Sequence, residues 1–417
     1  MLPAMHRRAF LAALTGLTAA PEPQAVGGFG APEAGPVSGD PAFDAWLSAF
    51  RLRALGRGFD LALVDANLAG LTPDPRVLSL DSRQPEFSKP VSDYLATTVS
   101  EARVSTGRAR LEAAAPRVGY EARRGVPIEI LGAVWGIESA YGAMPGEMDV
   151  IRSLATQAAK GRRAQWAESQ LVSALQILQR GEATRATLKG SWAGAMGQTQ
   201  FTPEDFLNFA VDGDGDGRRD IWGSSADALA SAANFLNRKA AWRPGQSWAR
   251  EVTVPREGFD YLRVEQQALA PADWASLGVR PADGGGFRAA DAGASAALLM
   301  PMGWRGPGFL AFPNHMAIRT YNNSTSYALA VGLLADRLAG GAPLVQPWPS
   351  EAPTSLADRI GAQNALQRLG FDPGGVDGVI GAGTRRAARG WQSARGLPAD
   401  GYLSGDLIAR LRAEAQV

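Results

Sequence analysis

The chain has 417 residues, 46% of them hydrophobic, enough for a sizeable core and for two or three domains. A formal net charge of +1, with 20% charged residues, gives no basic field for nucleic acid and no polybasic patch. With no cysteine, disulfides, thiolate nucleophiles and Cys-ligated metals are excluded. The two histidines, His6 and His315, cannot build a His-rich zinc site, and no G-x-S-x-G motif supports a triad around His315. Chemistry falls to carboxylates, amides and tyrosines.

Met5-His6-Arg7-Arg8-Ala9-Phe10-Leu11 opens an apolar run ending at Ala20, the pattern of an export signal over 1–20. Arg7-Arg8 gives it a twin-arginine character. Export is therefore expected, and a chain without cysteine cannot carry a lipid on Cys, so a soluble mature protein is expected. Residues 21–40, rich in Pro, Gly and Ala, read as a disordered leader.

Apolar residues three and four apart then predict helices over 43–55, 60–68, 92–123, 128–140, 164–180, 203–210 and 225–239. Between about 246 and 318 the pattern changes to a strand-rich insert, with strands at 248–255, 296–302 and 309–312. Helical periodicity returns over 326–338. A Gly- and Pro-rich linker, 341–355, leads to a compact helix-turn-helix-turn-helix segment, 356–417. A module this small on a flexible tether suits targeting better than catalysis.

Glu138 stands inside the apolar run Ile128 to Gly142, where a carboxylate is costly unless paired or kept protonated. Helical spacing puts Trp135 and Tyr141 on its face, as aromatic surface for a substrate. Downstream, Gly190 to Pro203 alternates small residues with amides and large apolar groups. Ser191, Gln198 and Gln200 can bond sugar hydroxyls there, and Met196 adds an apolar contact. Asp212-Gly213-Asp214-Gly215-Asp216-Gly217-Arg218-Arg219-Asp220 matches an EF-hand loop at positions 1, 3, 5 and 9. Gly223 stands where the bidentate Glu belongs, and Asp227 is the candidate replacement. Tyr321, Asn322 and Tyr327 offer a stacking face and a two-way amide. Taken singly, each has a plainer reading: a helix glutamate turned to solvent, a tight packing segment, an acidic surface turn.

Together these segments resemble a lytic murein transglycosylase of the B type over about 41–340. The resemblance rests on Trp135-Gly136-Ile137-Glu138-Ser139, Gly194-Ala195-Met196-Gly197-Gln198-Thr199-Gln200-Phe201, the Asp-rich loop with Ile221-Trp222, and Tyr321-Asn322, in order. It implies an α+β, mainly α fold, with a lysozyme-like core, a helical subdomain, a small β subdomain and a small three-helix C-terminal domain. It implies Glu138 as the single catalytic acid and Ser191, Gln200, Tyr321, Asn322 and Tyr327 along the glycan. The Asp-rich loop, with Asp212, Asp214, Asp216, Arg218, Asp220 and Asp227, becomes a structural Ca2+ site; no organic cofactor is implied. The C-terminal segment resembles a peptidoglycan-binding domain through Gln363-Asn364-Ala365-Leu366, Val376-Asp377-Gly378 and Asp400-Gly401.

The expected partner is the peptidoglycan glycan strand, met in the periplasm by a monomer working beside the cell-wall machinery. Nucleic acid and a transmembrane span are not expected. Ordinary glycosidases use two carboxylates roughly 5 to 9.5 Å apart; here one recurs with the motifs, so the substrate itself must supply the second group. Two rivals remain: a hydrolytic muramidase with a second carboxylate among Glu147, Asp149, Glu204 and Asp205, and a non-enzymatic wall-binding scaffold.

Overall fold

The computed structural model describes residues 38–82, 90–119 and 123–416. The export signal and nearly all of the leader lie outside the described residues. The chain divides into two compact units: 38–82 with 145–208, and the described residues of 83–144 with 209–416. No described helix is long and apolar enough to cross a membrane.

The first unit opens with α1 (Pro41–Gly56), where Asp40 caps the helix by accepting from Phe43 N and Pro41 fits the first turn. Asp60 caps α2 (Leu61–Leu68) in the same way. Arg51 of α1 grips Asp65 of α2 through two bonds of 2.6 and 2.9 Å. Then comes α3 (Pro75–Ser82), which the periodicity did not predict.

The second unit begins with α4 (Val91–Thr98) and α5 (Glu101–Ala114). One helix over 92–123 was expected; the chain breaks at Val99-Ser100 because Ser100 is extended and its hydroxyl caps α5 at Arg103 N. A 3-10 turn at Ala115–Arg117 follows, around Pro116, which cannot continue the ladder. Residues 120–122 of that expectation lie outside the described residues. The buried helix α6 (Ile128–Ser139) then ends in three left-handed residues, Ala140, Tyr141 and Gly142.

The chain returns to the first unit with β1 (Met148–Asp149), α7 (Val150–Lys160) and α8 (Ala164–Gln179). β2 (Lys189–Gly190) pairs antiparallel with β1, Met148 opposite Gly190. α7 escaped the sequence reading because Ser153, Thr156 and Gln157 break its apolar period while buried. Two of them bond other segments: Thr156 Oγ1 accepts from Asp74 N at 3.0 Å, and Gln157 Nε2 donates to Trp192 O at 2.8 Å. Phe43, Phe50, Ile151, Leu154, Leu171 and Leu175 fill this unit's core.

After α9 (Pro203–Phe209), the second unit resumes with α10 (Ser225–Arg238), capped by Ser224. A five-stranded antiparallel sheet follows, ordered β4-β6-β7-β3-β5. Its strands are β3 (Ala249–Thr253), β4 (Ala268–Leu269), β5 (Arg280–Pro281), β6 (Ala296–Leu299) and β7 (Gly308–Ala311). α11 (Pro271–Ser276) lies within the insert and buries Trp274 against Leu298, Leu310 and Phe312. The insert stops at Phe312 rather than 318, since Pro313 starts α12 (Pro313–Tyr321). Next comes α13 (Thr325–Leu338), within a residue of expectation and capped by Ser324.

The C-terminal domain has its three expected helices, α14 (Leu356–Arg368), α15 (Ala382–Ala394) and α16 (Gly405–Glu414), packed around Leu366, Trp391 and Leu411. A repeated device joins its halves. Gln363 Nε2 donates to Asp377 Oδ1 while Gln363 Oε1 accepts from Gly378 N; Gln392, Asp400 and Gly401 repeat the pattern.

The flexible tether is not what the structure shows. Glu251 of β3 accepts from Val345 N and Gln346 N at 2.9 and 2.8 Å, and Trp348 stacks on Phe309. The domain itself is seated on the sheet. Asp400 accepts from Trp304 N at 2.8 Å, Glu265 lies 2.7 Å from both Arg385 and Arg389, and Tyr402 donates to Glu351. Proline and glycine marked a linker, but the N–H groups of Val345 and Gln346 bond Glu251 of the sheet.

Candidate active site

Glu138 lies in the last turn of α6, half-buried. Its Oε1 accepts a 2.7 Å hydrogen bond from the phenol of Tyr327, near the start of α13. The carboxylate in the apolar run is thus paired. Burial and the Glu138 charge together push the Tyr327 phenol well above its usual range, so it remains a donor. Tyr321 and Tyr94 also lie close enough to act electrostatically on that phenol.

Trp135 and Tyr141 do not form the aromatic surface expected beside Glu138, because Tyr141 lies beyond the helix in left-handed backbone. It folds back onto Trp135 edge-to-face, with ring centroids 5.7 Å apart, and its hydroxyl donates to Arg103 O at 2.9 Å. Both rings are buried. Burial pushes the Tyr141 phenol up to about 12. Gly136 makes room for this ring: a Cβ there would sit 2.6 Å from Tyr141 Cζ. Arg103 donates to Gly136 O. Tyr141 therefore braces the turn that presents Glu138.

Tyr321 is buried at 1% exposure, edge-on to Phe235 at 5.0 Å, and packs behind Tyr327 rather than facing solvent. Asn322 caps the end of α12, half-buried, with its carbonyl bonded to Ser324 N at 2.7 Å. Tyr94, on α4, was missed: it carries no motif, and only tertiary packing brings it near Tyr327.

In the first unit, Ser191 Oγ accepts from Ala195 N, closing a tight turn. Met196 is fully buried, paired through its backbone with Phe201, and so is a core residue with no surface for a ligand. Gln198 is buried at 6% exposure. Gln200, left-handed at φ 52°, spends its Nε2 on Pro145 O and Gly197 O at 2.7 and 3.0 Å. Its Oε1 is the part that can accept.

Three of the four carboxylates considered as a second catalytic group are committed within the fold. Asp149 caps α7 and pairs with Arg185 at 2.7 Å. Glu204 accepts from Gln170, and the buried Asp205 accepts from Thr202 Oγ1 at 2.7 Å.

In the acidic loop, carboxylate oxygens of Asp212, Asp214 and Asp216 converge within 4.8 Å of one another. Asp212 is held by Gly215 N and Gly217 N, and Gly217 takes a φ of 87°, the sharp turn such a loop requires. These three fit a hard cation, with Arg218 able to add only its carbonyl. Asp227 does not fit as the missing bidentate ligand. It is fully buried, and its two oxygens accept from Gly213 N and Asp220 N. Burial pushes its carboxyl up, so it braces the loop from beneath. Asp220 is likewise turned to Trp222 N and Gly223 N.

His315 is buried between helix and sheet, stacked 6.3 Å from Trp248, with neither nitrogen hydrogen-bonded among the described residues. Burial, aided by the Arg319 charge, pushes it down to about 3. It is a structural residue.

A Glu on a buried helix, held by a tyrosine and followed by a Gly- and Gln-rich turn, an acidic loop and a small sheet, defines the Transglycosylase SLT domain family. That family's model matches residues 42–336, and the chain belongs to it. A peptidoglycan binding domain model matches 355–411.

Among relatives, the chain is 30% identical over 216 residues to membrane-bound lytic murein transglycosylase B of Escherichia coli strain K12. The match covers 52% of this chain and 58% of that protein, so little more than half of the relative is spanned. Among solved structures, it is similar to SltB3 from Pseudomonas aeruginosa in complex with NAG-anhNAM-pentapeptide. There the TM-score is 0.85 at 48% identity, over 89% of this chain and 100% of that one. It is also similar to the Escherichia coli lytic transglycosylase Slt35 in complex with calcium, with a TM-score of 0.60 at 26% identity over 72% and 93%.

Proposed function

We propose that the chain cleaves the β-1,4 bond between N-acetylmuramic acid and N-acetylglucosamine in peptidoglycan without consuming water. The observation that supports this is Glu138 held at 2.7 Å by Tyr327, while three of the four other carboxylates considered, Asp149, Glu204 and Asp205, are tied into the fold. Protonated Glu138 gives its proton to the departing glycosidic oxygen as the C1–O bond breaks. The 2-acetamido carbonyl of the same sugar stabilises the cationic C1. Glu138, now a base, takes the proton of the C6 hydroxyl as that oxygen bonds to C1, leaving a 1,6-anhydromuramoyl end. Atoms balance with no water added. Tyr327 fixes the carboxylate oxygen that it bonds.

Ser191, Gln198 and the Gln200 side-chain carbonyl serve sugar recognition, and Asn322 is assigned the same role. Asp212, Asp214 and Asp216 hold a structural Ca2+ that steadies the loop before α10 and takes no part in the reaction. Export to the periplasm brings the protein to its substrate, and the C-terminal domain binds the same polymer. The test is borohydride labelling of peptidoglycan digests. This reading predicts solubilised glycan without new reducible ends, whereas reducible ends in step with release would make the protein a hydrolase.

A further inference from the structure

A cavity of about 760 Å3 opens in the second unit beside the far end of α13 from Tyr327. Nine residues separate Tyr327 from Asp336, which lines this cavity, so the two lie about 13 Å apart along the helix. One wall is aromatic. Trp248, just before β3, and Phe309 of β7 lie with ring centroids 6.4 Å apart, and Trp348 of the pinned linker stacks on Phe309 at 6.1 Å.

Charged groups of both signs face the same space. Asp336 is exposed to the cavity, with protein on its other sides. Its one hydrogen bond among the described residues comes from Trp248 Nε1, at 3.0 Å to Oδ2. The protein around it pushes its carboxyl up to about 6. Arg250 is near enough to act on Asp336 as a charge. Its Nη2 holds both oxygens of Asp283 at 2.8 and 2.7 Å, but its buried Nε has no partner among the described residues. Arg288 also lines the cavity and donates through Nη1 to Ser247 Oγ at 3.0 Å. The remaining ions are taken: Arg337 pairs with Glu101, and Glu251 holds the linker backbone.

A neutral sugar would leave the Asp336 charge with only its Trp248 donor and no ion pair, and the Arg250 Nε–H without a partner, at a cost for each. A simple anion would meet Asp336, and a simple cation would meet two guanidiniums. We infer that the cavity binds a short peptide end carrying both an ammonium and a carboxylate. The ammonium meets Asp336, the carboxylate meets Arg250 and Arg288, and apolar side chains lie against Trp248, Phe309 and Trp348. A volume of this size suits such a ligand. Peptidoglycan stem peptides have this chemistry, either still joined to the glycan or free. That choice of source rests on the function proposed above, while the recognition chemistry does not.

The test is calorimetric titration of the full chain, with tryptophan fluorescence from Trp248 and Trp348 as a second readout. The probes are a free stem tetrapeptide with a diamino acid, its amine-acetylated and carboxyl-amidated forms, the disaccharide-linked peptide, and a peptide-free N-acetylglucosamine oligomer. The free peptide should bind, about tenfold or more weakly to Asp336→Asn and when acetylated. Arg288→Ala and amidation should each cause a similar loss, which corresponds to about 1.4 kcal/mol. Excess sugar oligomer should not displace the peptide. Tighter binding of the disaccharide-linked form would assign glycan-borne stems; equal or weaker binding would assign free peptides. No binding to the wild type, equal binding by both variants and both blocked peptides, or displacement by the oligomer would overturn the inference. Lysis by Glu138→Gln would remove the catalytic reading and leave this one standing. A failed peptide titration would do the reverse.

Discussion

Replacing Tyr327 by Phe removes one oxygen and leaves the buried ring in place. That oxygen donates to Glu138 Oε1 at 2.7 Å from a side chain only 3% exposed. A hydrogen bond to a charged group contributes about 1.5–3 kcal/mol. Glu138 is half-buried and can recover part of this from water, which favours the lower half of that range. The expected loss is therefore about 13- to 45-fold in kcat, at 1.36 kcal/mol per tenfold. KM should change less than about threefold, because Tyr327 is buried behind the carboxylate and offers a substrate no surface. The assay is release of soluble muropeptides from purified peptidoglycan at several substrate concentrations, with thermal melts alongside. An unchanged kcat in a folded Tyr327→Phe protein would refute the claim that this bond sets the working position of Glu138. A pure KM effect would place Tyr327 at the substrate instead.

Other consequences are as specific. His315 is neutral in the fold, pushed down to about 3 by burial, while in the unfolded chain it protonates below about 6.5. Its contribution to stability is therefore complete above pH 6.5 and is lost as pH falls from there towards 3. About 3 kcal/mol should be gone by pH 4.5, read from denaturant melts, and His315→Leu should flatten that slope. Gly136→Ala drives a Cβ into the Tyr141 ring and should cost about 1–3 kcal/mol, seen as a lower Tm with reduced lysis. If Ca2+ sits among Asp212, Asp214 and Asp216, chelation should lower the Tm of the wild type and leave that of Asp214→Asn unchanged. Asp400→Ala leaves the N–H of Trp304 without its acceptor and should loosen the C-terminal domain, detected as faster proteolysis near 349–355.

The sequence was most legible where one residue contradicted its surroundings. A lone Glu in an apolar helix had to be paired, and the partner proved to be Tyr327, already suspected from its own segment. The apolar period placed the starts of α1, α2, α10 and α13 within two residues, and in the structure Asp40, Asp60, Ser224 and Ser324 cap these starts through local bonds. Features set by distant packing were hidden. α7 disguised its period because its polar residues serve other segments, and Tyr94 reaches the site only through the tertiary fold. Tyr141 fitted a helical pattern, but three left-handed residues turned it back into the core. Met196 and Asp227 matched motif positions while their side chains were buried for structural ends. Ser100 and Pro116 were the readable warnings that 92–123 could not be one helix.

The most direct test of the central claim is mass spectrometry of peptidoglycan digested by the protein and by Glu138→Gln, which keeps the shape and removes the proton. The account predicts muropeptides one water lighter than hydrolysis products from the wild type and none from the variant, with both proteins still binding the polymer. Wild-type products at the full hydrolysis mass, or undiminished lighter products from Glu138→Gln, would contradict it.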